Sequence, residues 1–362
     1  MCDFSQYGGP SEEWLAVEKS LPPISIDMNT EPLAFKQAAN AMREDFSAKA
    51  METYKLADKV HTADYTIPTR DGSSIRARTY RSIAHASGKT LPVYLYFHGG
   101  GFIVGTLDSE NATCSAVAIK VPILVLNVEY RHTPEHIYPT AWHDAQDALA
   151  WLHANASTLN VDPRKIIVGG VSAGGQLAAS LALEKHLHKA PGLEGLPEIL
   201  GQVLIIPCTA HPSTYSTVTD KLSSPEVSSY VENENAPLLP VKTIQFFTHY
   251  LKPSYPVDPA DTKLNIVNAT TEQVKGLPPA VFGIAGLDPL RDEGLLYAKL
   301  LSDAGVQTSV RLFKGVPHGA RRFGEQLPVS SREWDRCVTE GVEWLLEGAK
   351  GKGGFNVEVV GG

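Results

Sequence analysis

Short apolar runs alternate with amphipathic stretches over most of the chain, and the order of that alternation predicts the architecture. Residues 64–68 and 75–80 read as strands. The Asp-Gly turn signal in the intervening Thr69-Arg70-Asp71-Gly72-Ser73 predicts an antiparallel hairpin. After Tyr94 the pattern becomes strand, helix, strand, with strands expected at 92–97, 123–129, 165–169, 202–207, 280–286 and 309–313. Helices are expected between them, notably at 139–157, 173–187, 290–304 and 332–347. This order predicts an α/β fold with a mainly parallel central sheet and helices on both faces.

Two segments stand outside the alternation. Residues 10 to 60 are polar and helix-compatible, with Phe35, Ala39, Met42 and Phe46 at roughly helical spacing. From Cys208 to about Pro278 the chain is rich in Ser, Thr, Pro and Asn, and loops of that length are usually functional or carry their own helices. Within it, residues 241–251 read as a helix with clustered aromatic side chains. The expected division is an N-terminal helical cap segment (1–60), a first core part (61–207), a cap insertion (208–278), a second core part (279–348) and a flexible Gly/Lys-containing tail (349–362).

At 362 residues the length suits one large α/β domain with an insertion, or two smaller domains. The formal net charge of -8 comes without a long basic run, which argues against a nucleic-acid partner and makes a small molecule the default. Cys2, Cys114, Cys208 and Cys337 are scattered without CxxC spacing, so neither a metal site nor a disulfide framework is expected, and reduced thiols fit a cytoplasmic protein. The N-terminus lacks the features of a signal peptide, and no apolar stretch is long enough to predict a membrane span. The sequons at Asn111, Asn155 and Asn268 matter only in a secreted chain and read as chance matches.

The chemistry is concentrated at strand ends. Gly170-Val171-Ser172-Ala173-Gly174-Gly175 lies between a strand and a helix and has the G-x-S-x-G form of a nucleophile elbow. Serine is a weak nucleophile unless a sharp turn exposes it beside a base and free amides. The bland reading is a Gly-rich turn with a surface or helix-capping serine, and context weighs against it. The strand at 92–97 runs into His98-Gly99-Gly100-Gly101-Phe102, an HGGG-type oxyanion loop. Asp288 follows the strand at 280–286, and His318 follows the strand at 309–313 in a Pro-His-Gly turn. The order Ser172, Asp288, His318 is that of an α/β-hydrolase triad. Ser172 is the expected nucleophile, His318 the general base and acid, and Asp288 the residue that sets the imidazole tautomer. Asp288 followed by Pro289 also suits a helix N-cap, while Asp292 and Glu293 are competing carboxylates placed to complement a helix dipole.

These blocks, together with Tyr130-Arg131-His132-Thr133-Pro134-Glu135-His136 and Leu287-Asp288-Pro289-Leu290-Arg291-Asp292-Glu293-Gly294, resemble the hormone-sensitive-lipase family of α/β-hydrolase esterases over roughly residues 60 to 348. A weaker likeness is to fungal esterases of secondary metabolism. The resemblance implies a cofactor-free serine carboxylesterase with a helical cap, acting on short or medium acyl esters of a small molecule. It assigns the oxyanion donors to the amides of Gly100, Gly101 and Ala173, the last also by the rule that one donor follows the nucleophile. His98 and Gly99 then shape the loop. Phe102, Phe246, Phe247, Tyr250 and Phe323 either line the substrate pocket or pack in the core. Arg131, Glu135 and Asp144 are expected to hold loops. Val171 and His132-Thr133 depart from the family pattern, which leaves substrate preference open. Acyl transfer, lactone handling or elimination on the same triad, and a ligand-binding receptor on a hydrolase scaffold, are the competing functions. Family members occur as monomers and as homodimers, and the sequence does not choose.

Overall fold

Both faces of a parallel strand must be buried, so its residues alternate between two cores without becoming polar. In the computed structural model, which describes residues 1–21, 26, 28–85, 88–351 and 353–361, this is the behaviour of the central strands. In β3 (Leu91–Phe97), Val93, Leu95 and Phe97 enter one core while Tyr94 and Tyr96 enter the other. β5 (Val161–Val171) divides Ile166 and Val168 from Ile167 in the same way. The remaining strands are β1 (Val60–Pro68), β2 (Ser74–Ser82), β4 (Leu124–Glu129), β6 (Gly201–Ile205), β7 (Ala280–Leu287), β8 (Thr308–Pro317) and β9 (Val357–Val360). Their spatial order is β1-β2-β4-β3-β5-β6-β7-β8-β9. The hairpin β1–β2 and the pair β2–β4 are antiparallel, and every later pair is parallel.

The first core packs the sheet against helices Thr140–Ala154, Ala173–His186 and Arg291–Asp303, through residues such as Leu149, Leu177 and Leu295. The second packs it against Asn111–Lys120 and Pro328–Leu346, through Val117, Trp334 and Val342. Among the described residues no helix is long and apolar enough to cross a membrane.

Three expectations change. The tail expected to be flexible carries β9, whose Val357 and Val360 pair with Val310 and Phe313 of β8 and contact opposite cores. The insertion expected over 208–278 is not uniform. Its later part is fastened to the core helices: the Trp142 indole donates to the Lys263 carbonyl at 3.1 Å, the Gln176 amide to the Leu264 carbonyl at 2.9 Å, and Leu264, Ile266 and Val267 join the first core. The N-terminal helix Pro32–Thr53 forms, started by Pro32 at its first position and by Glu31 accepting from the Ala34 amide, but it turns a different face inward. Phe35 and Ala39 pack, whereas Met42 and Phe46 are each 46% exposed. Asn40, Arg43 and Glu44 face the loop after β3, where they bond the Gly105 amide, the Gly99 carbonyl and the Thr106 hydroxyl, and Ser47 accepts from the Ala112 amide at the start of helix Asn111–Lys120.

Candidate active site

The carboxyl ends of β3, β5, β7 and β8 open on the same edge of the sheet, where open α/β folds bind ligands. β5 is followed at once by Ser172 at φ 56°, ψ −119°, a positive-φ conformation that costs a non-glycine residue about 1 to 3 kcal/mol. Two contacts hold it there. The Ser172 amide donates to the Ile205 carbonyl at 2.8 Å, and Gly174 lies so close to the end of β3 that a Cβ would come within 1.9 Å of the Phe97 carbonyl oxygen. Ser172 occupies the N-cap position of helix Ala173–His186 yet makes no capping hydrogen bond. Its hydroxyl is therefore free for another partner.

That partner is His318, whose Nε2 lies 2.9 Å from Ser172 Oγ. On the other side of the ring, Nδ1 is 2.7 Å from Asp288 Oδ2. An ionised Asp288 requires Nδ1 to donate, which leaves Nε2 as the acceptor facing the hydroxyl. The two oxygens of Asp288 divide their work, since Oδ1 accepts from the Leu290 amide at 2.9 Å and closes the tight turn that precedes the following helix. The capping reading of Asp288 does not hold, since Leu290 is the N-cap of helix Arg291–Asp303 and no side chain caps that helix; the other oxygen of Asp288 faces His318. Asp292 and Glu293 are engaged elsewhere: Asp292 pairs with Arg291 and accepts from the Ser229 amide, and Glu293 accepts from the amides of Thr209 and Ala210.

The loop after β3 lies against the elbow. Gly99 is near enough that its Cβ would sit 3.4 Å from that of Ser172. No described residue accepts a hydrogen bond from the amides of Gly100 and Gly101, and Ala173, first in its helix, has no intrahelical acceptor for its own. His98 is fully buried, stacked 4.4 Å from the Tyr130 ring, with its own carbonyl accepting from the Tyr130 hydroxyl at 2.8 Å. Burial drives its pKa down to about 4, and burial together with the neighbouring His98 drives that of His132 well below the usual histidine range. Burial thus favours the neutral form of both imidazoles, and neither Nε2 has a hydrogen-bond partner among the described residues. His132 therefore serves as edge-on packing for His98 at 5.0 Å.

The aromatic residues named as pocket candidates separate. Phe102 is stacked on Trp142 at 4.8 Å and buried. Phe246 is fully buried between Phe35 and Tyr250, and Phe323 packs edge-on against Trp14 at 5.6 Å. These three are packing residues, and Tyr250 joins the same aromatic group. Phe247 is different: its ring covers Gly101, where a Cβ would meet it at 2.3 Å, and it adjoins an apolar group of Leu239, Ile244, Leu290 and Cys208. Among the described residues no cluster of His, Cys, Asp and Glu is arranged to hold a metal ion.

Several residues at the site carry no sequence motif. Arg43 donates to the Gly99 carbonyl at 2.9 Å and to Glu110 at 2.7 Å, clamping the glycine loop to the N-terminal helix. Ser11 donates through its amide to the Gly315 carbonyl at 2.9 Å, and Glu13 accepts from the Val329 amide at 2.9 Å, so the N-terminal segment brackets the turn that carries His318. Cys208 Sγ lies 3.9 Å from Ser172 Oγ. Glu293 holds the strand end beside it, and burial pushes the Glu293 pKa from its ordinary 4.5 up to about 8. The folded state then binds a proton that the unfolded state releases between pH 4.5 and 8, so this contribution is full below pH 4.5 and is lost as pH rises toward 8. Glu293→Gln keeps the shape without the titration. Its stability relative to wild type is expected to rise from pH 5 to pH 8, by at most about 1.4 kcal/mol per pH unit, in urea unfolding at each pH. A difference independent of pH would exclude a protonated Glu293.

Residues 94–322 match the family described as having the alpha/beta hydrolase fold. The chain belongs to the hormone-sensitive-lipase-like esterases of this fold. Esterase LipI of Mycobacterium tuberculosis is 35% identical to this hydrolase over 68% of its chain and 70% of the relative. The versiconal hemiacetal acetate esterase of Dothistroma septosporum is 31% identical over 72% and 75%. The crystal structure of vibralactone cyclase resembles it with a TM-score of 0.81 at 27% identity, covering 97% of this chain and 98% of the other.

Proposed function

We propose that this carboxylic ester hydrolase cleaves short acyl esters of a small molecule through an acyl-enzyme on Ser172. The observation that carries the reading is the hydrogen-bonded series Ser172, His318, Asp288 beside two amides without acceptors among the described residues. Ser172 Oγ attacks the ester carbonyl carbon while His318 Nε2 takes the hydroxyl proton. The negative charge that develops on the carbonyl oxygen is met by the amides of Gly100, Gly101 and Ala173. His318 passes its proton to the departing alcohol oxygen, leaving the acyl group on Ser172. Water then attacks the acyl carbon, gives a proton to His318, and the carboxylic acid leaves as Ser172 regains its hydrogen.

Short acyl chains are favoured because Phe247 over Gly101 and Cys208 at 3.9 Å from the nucleophile crowd the space around the acyl carbon. The helix Pro32–Thr53 and the helix Val241–His249 act as the cap, joined through Phe35 against Phe246 and Phe247 at 5.6 and 6.0 Å. Likeness to vibralactone cyclase supports a second outcome on the same acyl-enzyme, in which a hydroxyl of the substrate replaces water and closes a lactone.

Hydrolysis of p-nitrophenyl esters from acetate to palmitate tests the reading, together with mass mapping after a fluorophosphonate probe. Faster turnover of acetate than of hexanoate and an adduct on Ser172 are expected. No hydrolysis and no adduct would overturn the esterase reading, whereas an adduct without hydrolysis would favour the lactone-forming outcome.

A further inference from the structure

Arg322 stands four residues beyond His318, in the helical turn segment Ala320–Gln326. Every other arginine among the described residues has an oxygen partner. Its neighbour Arg321 is bidentate with Asp335 at 2.7 and 3.0 Å, Arg43 has Glu110 and the Gly99 carbonyl, and Arg81, which lacks a carboxylate, donates to the Leu159 carbonyl at 2.7 Å. Arg322 has no hydrogen-bond acceptor and no ion-pair partner among the described residues. Its one specific contact is the Phe323 ring, 5.1 Å from the guanidinium carbon.

The surroundings make this vacancy unusual. Arg322 reaches solvent, yet protein crowds its guanidinium enough that desolvation lowers its pKa below the ordinary arginine value, and the charged group acting on it, Arg43, has the same sign and adds to the lowering. Arg43 is itself bonded to the Gly99 carbonyl beside the nucleophile, so the segment after His318 brings a second guanidinium close to one already anchored at the glycine loop, in a chain whose formal net charge is -8. Phe323 is itself fixed by the buried Trp14, so the arginine rests on a rigid floor.

We propose that Arg322 is a recognition residue for a carboxylate carried on the alcohol portion of the ester substrate. The inference rests on the esterase reading above. His318 must reach the departing alcohol oxygen, so groups next in chain to His318 border the leaving-group side of the site. A planar guanidinium binds a carboxylate through two parallel hydrogen bonds, and such charge-assisted pairs are strong where water is partly excluded. A carboxylate there supplies the acceptor that Arg322 lacks and relieves its repulsion with Arg43. A lysine in its place would keep the charge but lose the fork.

The test compares 3-acetoxybenzoate with its neutral isostere 3-acetoxybenzamide, reading the ratio of their kcat/KM values in wild type, Arg322→Gln and Arg322→Lys. Wild type is expected to favour the acid by about 10- to 100-fold at low salt, with the preference shrinking as ionic strength rises. In Arg322→Gln the ratio falls to near one, and in Arg322→Lys it is intermediate. Because only the ratio is read, a partial loss of folded protein cannot imitate the result. An unchanged ratio in Arg322→Gln, or a wild-type preference for the amide, overturns the proposal while leaving the esterase reading standing. If wild type cleaves neither ester and Ser172 takes no phosphonate, both fall together.

Discussion

Ser172→Ala is expected to lower kcat for p-nitrophenyl acetate by on the order of 10⁶, the scale seen when the nucleophile of a serine triad is removed, with a residue of catalysis left from the oxyanion donors alone. The loss should be purely chemical. Ser172 makes no capping bond, and among the described residues its hydroxyl has only His318 Nε2 and, at 3.9 Å, Cys208 Sγ as hydrogen-bond partners. Alanine is strained at φ 56° much as serine is, so unfolding free energy should change by less than about 1 kcal/mol. Stopped assays on protein freed of wild-type contamination, with parallel urea unfolding, measure both quantities. Retention of more than a hundredth of wild-type kcat would remove Ser172 from the role of nucleophile.

Asp288→Asn should cost on the order of 10⁴ in kcat near neutral pH, with KM for acetate esters little altered. Asparagine can still accept from the Leu290 amide, so the turn that precedes helix Arg291–Asp303 survives. What changes is the face toward His318. An amide NH₂ group 2.7 Å from Nδ1 donates where the carboxylate accepted, which selects the tautomer protonated on Nε2 and removes the base from Ser172. No nearby carboxylate can take over, because Asp292 is held by Arg291 and Ser229, and Glu293 by the amides of Thr209 and Ala210. A loss in KM alone, with kcat preserved, would assign Asp288 to structure only.

The elbow and the strands on either side were readable because their signals are local. A serine forced to φ 56° needs small neighbours in its own pentapeptide, and a strand buried on both faces needs an unbroken apolar run. Aromatic character, by contrast, is a poor guide to a pocket. Phe102, Phe246 and Phe247 look alike in the sequence, yet stacking on Trp142 buries the first, the cluster with Phe35 and Tyr250 buries the second, and only the third covers the glycine loop.

The amino-acid sequence by itself determined the α/β order of elements, the turn that exposes Ser172 and the chain order of Ser172, Asp288 and His318, because backbone conformation and hydrophobic period act over a few residues. Only the tertiary structure decided which face of Pro32–Thr53 turns inward, that Arg43 clamps Gly99, that Glu293 is buried beside Cys208, that β9 joins the sheet, and that Arg322 finds no acceptor among the described residues. Each of these depends on a partner distant in the chain. A polar side chain carries no local mark of whether folding will bring it an oppositely matched group, exclude its water, or leave it waiting for a ligand.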